Sequence, residues 1–238
     1  MRHLARAPRA LFLLAMALGS ALISASSSAY FNFEELPPFV IEKLPVRFEA
    51  LWLVSLRVHV AAAALAFPLC IALATRTLQR RAALHRWLGR LAGVVVLFAL
   101  VPSGAVLAFD AKGGAFVSAG FLLSGAIVAW FMTRGVLAAR RRDLVRHRRA
   151  MLHVFAQMSV AVTSRALLIG LDAAGMSPGV AYVVALWGPV LVSAAAAELL
   201  SSSSPLSNAS KRMGHVFGKI ALAVRPRSLA RPVARLGR

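Results

Sequence analysis

Long apolar runs alternate with short polar segments along most of the chain. An α-helix rises about 1.5 Å per residue, so roughly 20 apolar residues are needed to cross the ~30 Å hydrocarbon core of a bilayer. Runs near that length cover residues 10–25, 48–75, 87–109, 115–139, 151–171 and 179–200. The pattern therefore predicts an all-α fold, a polytopic membrane helical bundle of about six transmembrane helices.

The composition agrees with a chain whose main partner is the lipid bilayer. Hydrophobic residues make up 59% of the sequence and charged residues only 15%, with a mean hydropathy of +0.73. An ordinary soluble domain carries about 25% charged residues, and its apolar share is lower. Only one cysteine is present, Cys70, and it lies inside an apolar run. An internal disulfide and a Cys-based metal site are therefore excluded.

Clusters of arginine indicate how the helices are oriented. Short cytoplasmic loops of membrane proteins carry more Lys and Arg than external loops do. The clusters precede the first run, separate the second from the third, and separate the fourth from the fifth: Arg2, Arg6 and Arg9; Arg76, Arg80, Arg81 and Arg86; Arg140, Arg141, Arg142, Arg146, Arg148 and Arg149. We therefore expect both termini in the cytoplasm. The net charge of +20 is explained by this topology rather than by nucleic-acid binding.

Two segments flank a five-helix core of residues 48–200. Residues 1–47 hold the first helix and an outer loop; basic residues before an apolar run also begin a signal peptide, with Ser27-Ser28-Ala29 as a cleavage site, but we favour a retained helix. Residues 201–238 form a basic cytoplasmic tail. Apolar residues recur there at helical spacing between Met213 and Val224, which favours an amphipathic helix on anionic lipid. A solvated tail without regular structure is the alternative.

A series of short motifs recurs in order between Leu51 and Glu198. The series comprises His59, His85-Arg86-Trp87-Leu88-Gly89-Arg90, Gly113-Gly114 with Gly120-Phe121, Trp130, His147-Arg148-Arg149-Ala150-Met151, Ala161-Val162-Thr163 with Arg165, and Ala181-Tyr182 with Trp187. In these motifs the chain resembles DUF2306, a family of uncharacterised bacterial membrane proteins. The resemblance implies a bacterial inner-membrane location and a membrane fold without an agreed activity.

The chain departs from the family pattern at two places. Phe67-Pro68-Leu69 stands where the family has a Gly-Pro-Gln-like segment, which removes a polar group from the second helix. His153 stands where an arginine is usual. His153 is therefore a poor candidate for a ligand that the whole family shares.

Histidines supply the candidate cofactor ligands. His85 and His147 each begin an outward-running helix directly after a basic loop, so they share a depth near the inner surface. A bis-histidine haem b requires two imidazoles at matching depth on neighbouring helices. Interfacial packing against lipid phosphates and binding of another metal are the alternatives. His59, in the second helix, is a candidate for a second site or for a quinone-facing group; a hydrogen bond across a helix interface would explain it equally.

Three further ionisable groups lie within or near the membrane. Arg57 and Arg165 are expected at comparable depth in the outer half, where they would repel each other unless an anion lies close to both. Alternatively Arg57 extends outward to the membrane surface, and Arg165 pairs with Asp172 or with a backbone carbonyl. Glu198, nearer the inner surface, is a candidate for proton handling together with His147.

The leading functional hypothesis is a b-type haem or electron-transfer membrane protein with a quinone or redox partner. An anion- or lipid-binding transporter-like protein and a structural membrane subunit are the alternatives. The sequence contains no HExxH, nucleophile elbow or Gly-rich phosphate loop, so no catalytic residue and no protein-bound metal other than haem iron is assigned. Whether the protein is an enzyme is left open.

Overall fold

The computed structural model describes residues 6–32 and 34–202. By its internal contacts the chain divides into two units, Met1–Leu199 and Leu200–Arg238. The first unit contains the membrane bundle. The amphipathic helix predicted between Met213 and Val224 falls outside the described residues.

Helices account for nearly all of the described chain, and these residues include no β-strand. The helices are α1 (Arg6–Ser26), α2 (Pro38–Lys43), α3 (Glu49–Ala74), α4 (Arg76–Arg80), α5 (Ala82–Val95), α6 (Val101–Phe109), α7 (Gly114–Arg140), α8 (Leu144–Ala173) and α9 (Pro178–Ser202). A short 3-10 helix, Ser27–Phe31, continues α1, and a π-helical turn, Val96–Leu100, joins α5 to α6.

Six helical stretches are long and apolar enough to cross a membrane, which confirms the all-α membrane fold predicted from the sequence. They are Ala7–Phe31, Glu49–Ala74, Ala82–Phe109, Gly114–Arg140, Leu144–Ala173 and Pro178–Ser202. The third and fifth stretches begin several residues before their apolar runs. Helical hydrogen bonding continues into the membrane interface, so hydropathy alone places these starts too late.

The six stretches run back and forth, so the basic loops gather at one end of the bundle, called the basic end below. Side chains link neighbouring helices at this end. Arg9 Nη2 donates to the carbonyl of Ala74 at 2.6 Å, and Arg149 pairs with Glu198. At the opposite end Lys112 pairs with Glu42, and Trp187 Nε1 donates to the carbonyl of Phe116 at 3.3 Å.

The main apolar core lies between α1, α3, the third span, α7 and α8. Its buried members are Met16, Ala62, Ala66, Phe67, Ile71, Val96, Leu100, Val128, Met132, Val154 and Met158. Pro68 lies within α3, which continues to Ala74. The first helix is part of this packing: a Cβ at Gly19 would lie 3.0 Å from Cγ2 of Val162, so the glycine lets α1 approach α8 closely.

Candidate functional site

His147 is held at the basic end by a hydrogen bond to the neighbouring helix. Its backbone N–H bonds to the carbonyl of Asp143, which places it in the first turn of α8. Its ring Nδ1 lies 2.9 Å from the carbonyl oxygen of Gly135 on α7. Because a carbonyl only accepts, Nδ1 carries the proton, and the neutral ring has its acceptor at Nε2.

His85 occupies the equivalent position on α5. Its backbone N–H bonds to the carbonyl of Arg81, so it too lies in the first turn of its helix. Its Nδ1 is buried and has no hydrogen-bond partner among the described residues. The structure thus places the two histidines for which the sequence predicted a shared depth in the first turns of α5 and α8.

Glu198 contacts His153, the histidine that the sequence makes a poor candidate for a family-wide ligand. One carboxylate oxygen lies 3.3 Å from Nε2 of His153, and the other pairs with Arg149. His153 is buried and stacks on Phe131, with ring centroids 3.9 Å apart and planes 4° apart. The sequence suggested His147 as the partner of Glu198. His153 was missed because its orientation depends on Phe131 of another helix.

His59 lies on α3 and bonds to the third span. Its Nδ1 is 3.1 Å from the carbonyl oxygen of Leu100, and Ser103 Oγ is 3.4 Å from the same nitrogen. The ring fits beside Gly104, where a Cβ would lie 2.9 Å from Cε1 of His59. The hydrogen bond across a helix interface is therefore present.

Arg57 and Arg165 each donate a hydrogen bond to a backbone carbonyl. Arg57 Nε donates to the backbone carbonyl of Tyr30 at 3.2 Å. Arg165 lies on α8. Its Nη1 donates to the carbonyl of Ala161 at 2.7 Å, which is the backbone alternative expected from the sequence. Both arginines are thus held by main-chain carbonyls.

Gln157 forms a buried polar network that sequence reasoning missed. Ser124 Oγ donates to its Oε1, and its Nε2 donates to the carbonyl of Val190 and to Ser193 Oγ, each at 3.0 Å. The amide thereby links α7, α8 and α9. A lone glutamine inside an apolar run is a visible signal, but the sequence does not show which helices it joins.

Within the part of the chain that the structure describes, no group of three or more His, Cys, Asp or Glu residues is placed to hold a metal ion. A ligand set at the basic end would therefore consist of the two imidazoles of His85 and His147. Two axial histidines are sufficient for a haem, whose other four iron ligands come from the porphyrin.

Comparison with protein families gives one match that covers most of the bundle. The model of a family described as "Predicted membrane protein (DUF2306)" matches residues 56–201. The match begins in α3 and ends in α9, so it includes His59, His85, His147, Arg57, Arg165 and Glu198. No curated protein and no solved structure matches the chain.

Proposed function

Since the chain belongs to the DUF2306 family of predicted membrane proteins, we propose that it acts in a bacterial inner membrane as a b-type haem protein of electron transfer, with His85 and His147 as axial ligands. One observation carries this proposal. His147 donates Nδ1–H to the carbonyl of Gly135, and His85, in the first turn of α5 at the same end, has a buried Nδ1 without a hydrogen-bond partner among the described residues.

The hydrogen bond to Gly135 is the kind that supports a metal ligand. Ligating histidines almost always donate their second ring N–H to a carbonyl, a carboxylate or water, which fixes the tautomer and the ring orientation. A buried nitrogen without a partner costs about 1–3 kcal/mol. A ligand bound by His85 and His147 would offset that cost. The matching first-turn positions of the two residues favour one ligand between them.

A bound haem b would supply one-electron redox chemistry, and the protein would then exchange electrons with a quinone or a redox partner. Leu100, which bonds His59, lies 15 residues beyond His85 along the third span, or about 22 Å at ~1.5 Å per residue. His59 is therefore too far away to share this haem. It remains the candidate for a quinone-facing group or a second site.

The haem proposal is tested by the visible spectrum of detergent-purified protein produced with ample haem. We expect a Soret band with low-spin features that is lost in both His85→Ala and His147→Ala, because loss of either axial ligand leaves the iron five-coordinate or unbound. His59→Ala and His153→Ala are the matched controls and should retain the low-spin spectrum. Wild-type protein without a Soret band contradicts the proposal.

The positions of Arg57 and Arg165 favour a second function, the binding of an anion. Both are cations within membrane-spanning helices, where a positive charge is costly, so an anionic group close to both would reduce that cost. A ligand that binds only the folded state raises the melting temperature. Anions should therefore stabilise the wild type but not Arg57→Gln/Arg165→Gln. An equal response of both proteins contradicts anion binding at these arginines. If the haem test and the anion test both fail, a structural membrane subunit is the function that is left.

We also propose that the tail, residues 201–238, binds anionic lipid. Beyond Ser202 it carries several Lys and Arg and no acidic residue, and each basic residue near an anionic surface contributes about 1 kcal/mol. The full chain in anionic nanodiscs should protect the tail from trypsin, and raised salt should restore cleavage. Equal protection in neutral nanodiscs would show that the apolar residues between Met213 and Val224, and not the basic residues, account for the binding.

A further inference from the structure

A cleft of about 330 Å³ lies at the basic end, between the start of α1 and the junction of α3 with α4. Its polar lining consists of Arg9, Thr75, Arg76, Thr77 and Arg80. No acidic side chain of the described residues lines it, so three guanidinium groups surround one concave site without a carboxylate. Such a site has the charge that an anionic ligand requires.

The three arginines are held in different ways. Arg9 is positioned at the edge of the cleft by its 2.6 Å hydrogen bond to the carbonyl of Ala74, which uses one of its five N–H donors. Arg76 and Arg80 are exposed and four residues apart, so they lie on the same face of α4. Among the described residues neither of these two forms an ion pair or a side-chain hydrogen bond. Their guanidinium forks match the geometry of phosphate oxygens.

The depth of the cleft identifies the source of the phosphate. Arg9 lies two residues inside the first span, which begins at Ala7, and Ala74 is the last residue of the second span. The cleft therefore lies at the boundary between hydrocarbon and water, where lipid headgroups are found. Leu13, on the α1 side, extends the lining toward the hydrocarbon. A phosphate bound to these arginines would be at the same level as the headgroups of the surrounding bilayer.

We propose that this cleft binds the phosphate of an anionic phospholipid, such as phosphatidylglycerol, through Arg9, Arg76 and Arg80. Basic pockets between transmembrane helices are a known form of lipid headgroup site. A zwitterionic lipid presents the same phosphate together with a cationic ammonium group, which three arginines would repel. None of the described histidines at the same end lines this cleft.

The test compares two full-length double variants that lose the same charge. Arg76→Gln/Arg80→Gln changes the cleft, whereas Arg140→Gln/Arg141→Gln removes two exposed arginines of the basic end that do not line it. Lipid binding is measured by native mass spectrometry of the detergent-purified proteins, titrated with phosphatidylglycerol or with phosphatidylcholine of the same chain length. The tail is intact in both variants, so its contribution cancels.

We expect the cleft variant to bind phosphatidylglycerol about tenfold more weakly than the wild type, and the control variant to stay within about twofold. Phosphatidylcholine should distinguish none of the three proteins. An equal loss in both variants would show a diffuse charge effect and overturn the proposal, as would an unchanged affinity in the cleft variant. If the double variant does not fold, Arg80→Gln alone should still lower the affinity about threefold.

A second measurement separates lipid from free phosphate. Inorganic phosphate alone, added in the absence of lipid at constant ionic strength, should change the melting temperature of the wild type and the cleft variant equally. A phosphate-dependent rise that the wild type shows and Arg76→Gln/Arg80→Gln lacks would assign the cleft to a soluble phosphate, and the lipid proposal would fall.

Discussion

At the scale of single residues, polar side chains inside the bundle are matched by groups on other helices. The sequence shows that Gln157 and His153 lie within an apolar run, but their partners belong to segments more than 25 residues away in the chain, as Ser124, Val190 and Glu198 do. The positions of His85 and His147, in contrast, could be read from the sequence. Their places at the start of α5 and α8 follow from the loop pattern alone, so they could be predicted without knowledge of the packing.

Replacement of Gln157 tests whether this network stabilises the bundle. Gln157→Leu keeps the volume and removes the hydrogen bonds to α7 and α9, so the free energy of unfolding should fall by about 1–2 kcal/mol. The control is Thr163→Val on the same helix, whose hydroxyl bonds only to the carbonyl of Ser159 in α8. Thermal or denaturant unfolding in detergent measures both. A loss of the same size in the two variants would contradict the interhelical role.

At the scale of elements, the third span differs from the uninterrupted α-helix that its apolar run predicts. The N–H of Val101 bonds to the carbonyl of Val96, five residues back, and Pro102 follows directly. Because proline has no N–H, the carbonyls before it need not keep α-helical register. The carbonyl of Leu100 in this turn accepts from His59 and Ser103. Pro102 was the visible signal, but a proline in a membrane helix does not specify which irregularity it causes.

Gly104 supplies a test of the contact between α3 and the third span. Gly104→Ala would put a Cβ 2.9 Å from the His59 ring, so the ring must shift, and we expect the free energy of unfolding to fall by about 1–3 kcal/mol. Gly125→Ala is the matched control, since a Cβ there meets nothing within 4 Å. It should leave the stability unchanged or raise it slightly. The melting temperatures of both variants measure the effect. Equal values would contradict the close packing of His59 against Gly104.

At the scale of the whole molecule, the sequence predicted what depends on length, apolarity and loop charge. These properties specify six spans and one basic end. They do not specify how closely the helices pack, so the approach of Gly19 to Val162 and the stacking of His153 on Phe131 could not be foreseen. The candidate sites follow the same division: the places of His85 and His147 near the starts of their helices were predictable, while the hydrogen bonds to the carbonyls of Tyr30 and Gly135 required the structure.

The orientation of the bundle remains a prediction with a direct test. If the basic end faces the cytoplasm, alkaline phosphatase fused after Asp110 or Asp172 should be exported and active, and the same enzyme fused after Arg142 should be inactive. Arg142 lies between α7 and α8 at the basic end, and the two aspartates lie at or near the ends of outward-running helices. An active fusion at Arg142 would reverse the topology, and the charge rule would then not govern this chain.

The close packing of Gly19 in α1 against Val162 in α8 also affects the order in which the protein can assemble. Val162, which packs against Gly19, is synthesised about 140 residues after it. At roughly 5–20 residues per second the ribosome needs about 7–30 s to reach Val162. During that interval α1 is already long enough to enter the bilayer while its partner surface on α8 does not yet exist. The nascent first helix must therefore wait beside lipid or an insertion factor, and assembly of the main core can be completed only when the fifth span arrives.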